Sequence, residues 1–166
     1  MKTFPKSVTH NNQRCDLVHF SADSFSHLED ERIEKVHAVC FNNGKLLLVN
    51  HLKWNIWGIP GGTREQGESL EETLVRELQE ETNCLATSFV PISYEKVIED
   101  DGTFHYRVHF FCSVEPLGKF DTDIAGSIDK IGWIDPKEFE TYIEDKEFKK
   151  LIIQKVVSNF DHYANL

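Results

Sequence analysis

Between Phe104 and Val114 the residues Phe104, Tyr106, Val108, Phe110, Cys112 and Val114 fall on every second position. A period of two places side chains on alternate sides of an extended strand, whereas a helix would scatter the same residues around its circumference. The run therefore commits this part of the chain to a β-strand with one buried face, and a strand of that kind needs partners. Asp100-Asp101-Gly102 supplies a turn just before it, and the strand-like run Phe89 to Ile98 lies on the other side of that turn.

The remaining elements follow from similar signals. In Lys35 to Asn50, two apolar runs flank Asn42-Asn43-Gly44, a turn that admits positive φ, so two antiparallel strands are expected. Ile56-Trp57-Gly58-Ile59-Pro60 reads as a short strand ended by Pro60 and the glycines after it, and Ile131-Gly132-Trp133-Ile134 as a last short strand. Asp135 followed by Pro136 is a helix start, and the tail to about Tyr163 is expected to be helical, with Phe148, Leu151, Ile152 and Val156 on one side. Strands outnumber helices, and an acidic helix sits mid-chain, which implies an α+β fold with a mixed sheet between helices. One domain spanning 1–166 is the expectation: an arm at 1–34 with no assigned element, a core at 35–134, and C-terminal helices at 135–166.

The chain has 166 residues and a net charge of −10. That charge argues against a nucleic-acid polymer or an anionic membrane as partner, since phosphate backbones are gripped by clustered Lys and Arg. No signal-peptide-like or membrane-spanning apolar run is present, so a cytoplasmic location is expected. Cys15, Cys40, Cys84 and Cys112 are widely spaced, without a C-x-x-C pair, and read as reduced, mostly buried residues.

The charge is concentrated. From Gly61 to Cys84 the chain reads GGTREQGESLEETLVRELQEETNC, with seven glutamates opposed only by Arg64 and Arg76. Ser69 with Glu72 makes a capping box, and Asn83 tolerates the left-handed conformation that closes a helix, so the helix should run from Leu70 to Thr82. At about 100° per residue, Leu70, Leu74, Val75 and Leu78 share one side, and Glu77, Glu80 and Glu81 fall along its border. Three carboxylates so placed repel one another unless a cation joins them. Mg²⁺ takes such oxygen ligands and completes its shell with water and substrate phosphate oxygens, and Arg76 can hold a carboxylate through a forked pair of hydrogen bonds, with Glu68 a suitable recipient. Glu65, Glu71 and Glu72 read as a solvated surface.

The spacing of these residues carries a resemblance. Gly62, Glu68, Arg76-Glu77-Leu78, Glu80-Glu81 and Asn83-Cys84 resemble the Nudix box, G-x5-E-x7-R-E-U-x-E-E-x-G-U with U a bulky aliphatic residue, over residues 62–84, and Trp57-Gly58-Ile59-Pro60-Gly61-Gly62 is similar to the lead-in of many members. Asn83 replaces the family's glycine and Cys84 its aliphatic residue. The resemblance implies the Nudix fold, an α/β/α sandwich, and hydrolysis of a nucleoside diphosphate linked to another moiety X by attack of water on phosphorus with Mg²⁺ or Mn²⁺. By position it makes Glu77, Glu80, Glu81 and the backbone carbonyl of Gly61 metal ligands, Glu77 the general base, Arg76 the residue that orients Glu77, and Glu68 the partner of Arg76 or a member of the metal shell. A non-catalytic nucleotide-sensing domain on the same fold is the alternative, and an isoprenoid diphosphate isomerase is disfavoured by the intact Arg-Glu and Glu-Glu pattern.

Outside the box the signals are weaker. The resemblance implies a further carboxylate from a loop beyond the sheet, as many members have; Asp121, Asp123 and Asp129 are in a suitable region, and no motif picks one of them. His105, Arg107 and His109 share the polar side of their strand; they could face a nucleotide, though ordinary alternation makes that side solvent-facing. Trp57 and Trp133 read as core, and Trp54, in a loop, as the better candidate to stack on a base. The substrate's identity stays open among nucleotide sugars, oxidised nucleoside triphosphates and dinucleotides, and the arm leaves room for a homodimer.

Overall fold

The structure, a computed structural model, describes residues 6–10, 13–121, 123, 126–143 and 147–163. Its strands are β1 (Lys6–His10), β2 (Gln13–Ser21), β3 (Ile33–Asn42), β4 (Lys45–His51), β5 (Ile56–Gly58), β6 (Gly61–Thr63), β7 (Cys84–Glu99), β8 (Phe104–Pro116) and β9 (Ile128–Ile134). Its helices are α1 (Leu70–Thr82), α2 (Phe139–Tyr142), α3 (Glu147–Ser158) and α4 (Phe160–Tyr163). All the strands join one sheet in the order β1-β2-β7-β8-β3-β4-β5, with β6 on β3 and β9 on β4. The β3·β8 pair is parallel and the others are antiparallel, so the sheet is mixed.

The central strands are covered on both sides. Val36, Ala38 and Cys40 of β3 and Val108, Phe110 and Cys112 of β8 pack with Leu74 and Leu78 of α1. Val39 and Phe41, with Phe111, face the other way, against Ile152, Ile153 and Val156 of α3. This is the expected α/β/α sandwich. The one-faced reading of Phe104 to Val114 is corrected in its second half, where His109 and Phe111 are as buried as the residues between them. Period two showed the stronger apolar face, but a strand in the middle of a sandwich has no solvent face to show.

The Asn43-Gly44 turn has φ of 47° and 73°, the left-handed pair that a tight hairpin needs. Residues left without an element in the sequence form a hairpin, and its second strand pairs with β7 from Cys15 to Ser21. The C-terminal segment is broken rather than continuous: Pro136–Glu138 is a 3-10 turn capped by Asp135, whose side chain accepts from the Lys137 N–H, and α2 to α4 follow separately. In α3 the buried residues are Ile152, Ile153 and Val156, whereas Leu151 is exposed, which corrects its expected place on the buried side. The side chain of Phe148 lies outside the described residues. Among the described residues, no helix is long and apolar enough to cross a membrane.

The packing register of α3 can be checked directly. Ile153→Ala, which removes a fully buried side chain, is expected to lower unfolding free energy by about 2–5 kcal/mol. Leu151→Ala should shift it by less than about 0.5 kcal/mol. Urea unfolding followed by tryptophan fluorescence reads both.

Candidate active site

Helix α1 is fixed at both ends by its own sequence. The Ser69 side chain accepts from the Glu72 N–H at 3.1 Å, and the Glu72 carboxylate accepts from the Ser69 N–H at 2.8 Å, completing the capping box. At the other end Asn83 takes φ 52°, ψ 40°, and its N–H donates to the Gln79 carbonyl. Asparagine thus fills the left-handed cap in place of glycine. The buried side of the helix carries Thr73, Leu74 and Leu78, and Val75, expected there, is exposed. The angular reading was off by one neighbour: Thr73 takes the inner position, its hydroxyl donating to the Ser69 carbonyl at 3.0 Å and to Glu68 at 2.9 Å.

This rotation turns two of the acids inward. Glu77 is 9% exposed and Glu81 is 6% exposed, and Glu80 sits further out. Arg76 gathers the acids around it. Its Nε and Nη2 donate to the two oxygens of Glu68 at 2.6 and 3.0 Å, the forked arrangement that suits guanidinium and carboxylate. Its Nη1 donates to Glu77 at 2.9 Å and to Glu80 at 3.2 Å, and Nη2 also reaches the Thr63 carbonyl at 3.0 Å. Glu81 accepts instead from the Gly61 N–H at 2.9 Å.

These contacts divide the carboxylates electrostatically. The Arg76 hydrogen bonds hold Glu68 down to about 2, helped by the Glu65 N–H and the Thr73 hydroxyl. Burial pushes Glu77 up, only partly opposed by Arg76. Glu81 is pushed up to about 8, first by burial and then by the charges of Glu77 and Asp123, against the single Gly61 N–H. Among the described residues no three of these groups stand together as a ready metal cage, because Arg76 draws Glu77 and Glu80 while β6 holds Glu81.

Strand β6, read from the sequence as a glycine turn, is what positions the acids. Gly61 has φ 135°, and a Cβ there would strike the Val36 carbonyl; a Cβ on Gly62 would strike the Glu77 carboxylate. Glycine at both positions lets a backbone strand pass between β3 and α1.

The three downstream aspartates part company. Asp121 and Asp129 are solvent-facing, beside Lys119 and Lys130. Asp123 is buried, and its Oδ2 accepts from the Ser127 N–H and hydroxyl and from the Ile128 N–H, which shapes the entry to β9. Trp57 packs edge-on to Tyr142 and Trp133 packs against the α1-side core, and Trp54 is 59% exposed.

The polar side of β8 is not solvent-facing as alternation suggested. His109 is buried, with its Nδ1 3.3 Å from the Ser93 hydroxyl and its ring stacked 5.8 Å from that of His37. Arg107 and His105 are partly buried, and His105 lies 3.7 Å from both Glu34 and Glu99. Glu95, His19, Lys35 and His37 share this side, and none was singled out from the sequence, because only the strand register brings them to Arg107 and His109.

Residues 32–156 match the NUDIX domain, so the chain belongs to the NUDIX family. A Xenopus laevis protein, nucleoside diphosphate-linked moiety X motif 6, is 30% identical over 100 residues; that stretch is 58% of this chain and 46% of that protein, so the match spans about half the relative's length. Among solved structures, the Bacillus subtilis pyrophosphohydrolase BsRppH superposes with a TM-score of 0.69 at 18% identity, covering 93% of this chain and 97% of the other. The NUDIX domain of Shewanella oneidensis NrtR, in complex with ADP ribose, superposes with a TM-score of 0.62 at 19% identity over 81% of this chain and 95% of that one. At these identities the two structures speak for a shared fold.

Burial lowers His109 to about 3 and His19 to about 4, so the folded protein keeps both rings neutral. An unfolded chain protonates them below about 6.5. Their contribution to stability is therefore complete above that pH and is lost as pH falls towards 4 and 3, where the unfolded state binds more protons. Glu81, raised to about 8, acts in the opposite sense over the same range, so the histidine contribution is read by difference: from pH 7 to pH 4 the urea midpoint of His109→Gln is expected to fall less, or rise more, than that of the unaltered protein.

Proposed function

We propose that the protein hydrolyses the diphosphate linkage of a nucleoside diphosphate joined to a further moiety, with Mg²⁺ or Mn²⁺ as cofactor. One observation carries this reading: Glu68, Glu77 and Glu80 are collected by a single guanidinium at the strand whose Gly61 N–H holds Glu81. A surface helix that was merely acidic would point its carboxylates into water, whereas here two are buried with too few donors to satisfy them.

The residues fit a hard divalent cation. Every available donor is an oxygen, and the buried Glu81 carboxylate has one hydrogen bond where an ionised acid accepts several. Glu77, Glu80, Glu81 and the Gly61 carbonyl would hold the ion. When bound, it neutralises diphosphate oxygens and lowers the pKa of the attacking water. Glu77 takes the proton from that water as the new O–P bond forms and the bridging P–O bond breaks, so the two halves leave as phosphate esters or phosphate. Arg76 aims Glu77 through Nη1. Glu68, ionised across the working range, fixes Arg76 through the fork.

A nucleotide-sensing role without turnover is the second reading, favoured by the likeness to a NUDIX domain in complex with ADP ribose. The intact set of acids and Arg76 supports catalysis over it.

A panel of nucleoside triphosphates, nucleotide sugars, dinucleotides and ADP-ribose, incubated with Mg²⁺ and assayed for phosphate or nucleoside monophosphate, separates the two. Turnover is expected for the hydrolase, and tight binding without product for the sensor. Glu77→Gln should lower kcat by about 10²–10⁴-fold while Mn²⁺ binding by calorimetry largely survives. Undiminished turnover in that variant would remove Glu77 as base.

A further inference from the structure

Two adjacent rows of cross-strand neighbours run over the α3-facing side of the sheet towards the acidic site. In one, Ser93 pairs with His109, His109 with His37, and His37 with Gly61. In the other, Glu95 pairs with Arg107, Arg107 with Lys35, and Lys35 with Thr63. The rows end on the two backbone groups that anchor the acids, the Gly61 N–H on Glu81 and the Thr63 carbonyl on Arg76. From β6 to β7 is three strand spacings, roughly 14 Å, a span an extended nucleotide can bridge between its diphosphate and its base.

The far end of the second row is chemically unfinished. Glu95 is 6% exposed, yet among the described residues no hydrogen bond or ion pair reaches its carboxylate. Its register neighbour Arg107 has a buried Nε without a hydrogen-bond partner. A carboxylate and a guanidinium that lie side by side in the interior normally close into a pair, because a buried unsatisfied charge is costly. Here they stay apart, which leaves two acceptor oxygens and one donor nitrogen for a third group. Lys35, His37 and Arg107 along the rows are each partly exposed.

We propose that Glu95 and Arg107 read the base of the substrate and select guanine. The inference rests on the hydrolase reading above and deepens it. Guanine carries one ring N–H and one exocyclic amine side by side, with a carbonyl oxygen next to them: two donors for the Glu95 oxygens and one acceptor for Arg107 Nε. Cytosine presents the reverse, one donor and two acceptors, and adenine and uracil offer no pair of adjacent donors. The site so formed rejects other bases by leaving its own buried groups unpaired.

The test compares kcat/KM for GTP, ATP, CTP and UTP with Mg²⁺, in the unaltered protein and in Glu95→Gln and Arg107→Met. The expected result is a preference for GTP of 10-fold or more that collapses in Glu95→Gln, through KM rather than kcat, with a smaller loss in Arg107→Met. No base preference in the unaltered protein, or variants that slow all four substrates equally, would overturn the inference. Should no nucleotide be turned over, the hydrolase reading fails instead, and thermal shift without metal still decides this one. GMP should then raise Tm more than AMP does, and equal shifts overturn the proposal. Circular dichroism and Tm of both variants establish that they fold; a variant that does not is replaced by Glu95→Ala or Arg107→Lys in the same assay.

Discussion

A strand of three residues, two of them glycine, lies in the gap between β3 and α1, and it can lie there only because it has almost no side chains. Any Cβ on Gly61 would enter the Val36 carbonyl, and any on Gly62 would enter the Glu77 carboxylate. The backbone therefore does what side chains usually do at an acidic site. Its Gly61 N–H partners Glu81 and its Thr63 carbonyl partners Arg76. Move β6 outward by the radius of a methyl group and Glu81 is left buried with no donor, Arg76 loses one of its anchors, and the grouping of acids loosens. The helix, the arginine fork and the strand order all presuppose that close approach.

Given that approach, one guanidinium is enough to organise three acids. Arg76 divides its nitrogens unevenly: the fork goes to Glu68, and Glu77 and Glu80 share Nη1. Glu68 is thereby kept ionised, while burial raises Glu77 and Glu81. A shared donor is weaker for each acceptor than an exclusive one, so Glu77 and Glu80 are the groups that can exchange Arg76 for another cation without dismantling the clamp. Arginine suits this role and lysine does not, because a single ammonium cannot offer a fork to one carboxylate and a separate edge to two more.

The local chemistry of this site was legible in the sequence and its surroundings were not, for a physical reason. Capping box, helix limits, left-handed Asn83, and the acids with their arginine are all set within a few turns of chain, so spacing encodes them. Val75 and Leu151 were placed on the wrong side because a helix pattern fixes its buried arc only to within one neighbour, and tertiary packing chose Thr73 and Ile153 instead. Strand β6 escaped notice since glycines signal turns more often than strands. The seat of β2 against β7 and the step from Arg107 to Lys35 were invisible for a stronger reason: those partners lie far apart along the chain, and only the sheet register brings them together.

That register also bears on why an acidic chain keeps several basic groups on the α3 side of the sheet. The ring of His37 is lowered first by desolvation, and the charges of Lys149, Arg107 and Lys35 add to that effect. Arg107 and Lys149 act on Glu95 against the burial that raises it, yet no salt bridge closes between Glu95 and its neighbour Arg107. A fold that needed only packing would have filled these positions with residues like Val39 and Phe111, which occupy the same side a strand position or two away. Polar groups persist where the rows approach Gly61 and Thr63, and they give way to apolar ones further along the strands. The gradient points at the acidic site, and it makes the two sides of β6 unlike: the carboxylates of α1 lie on one, and the basic and polar groups of the two rows on the other.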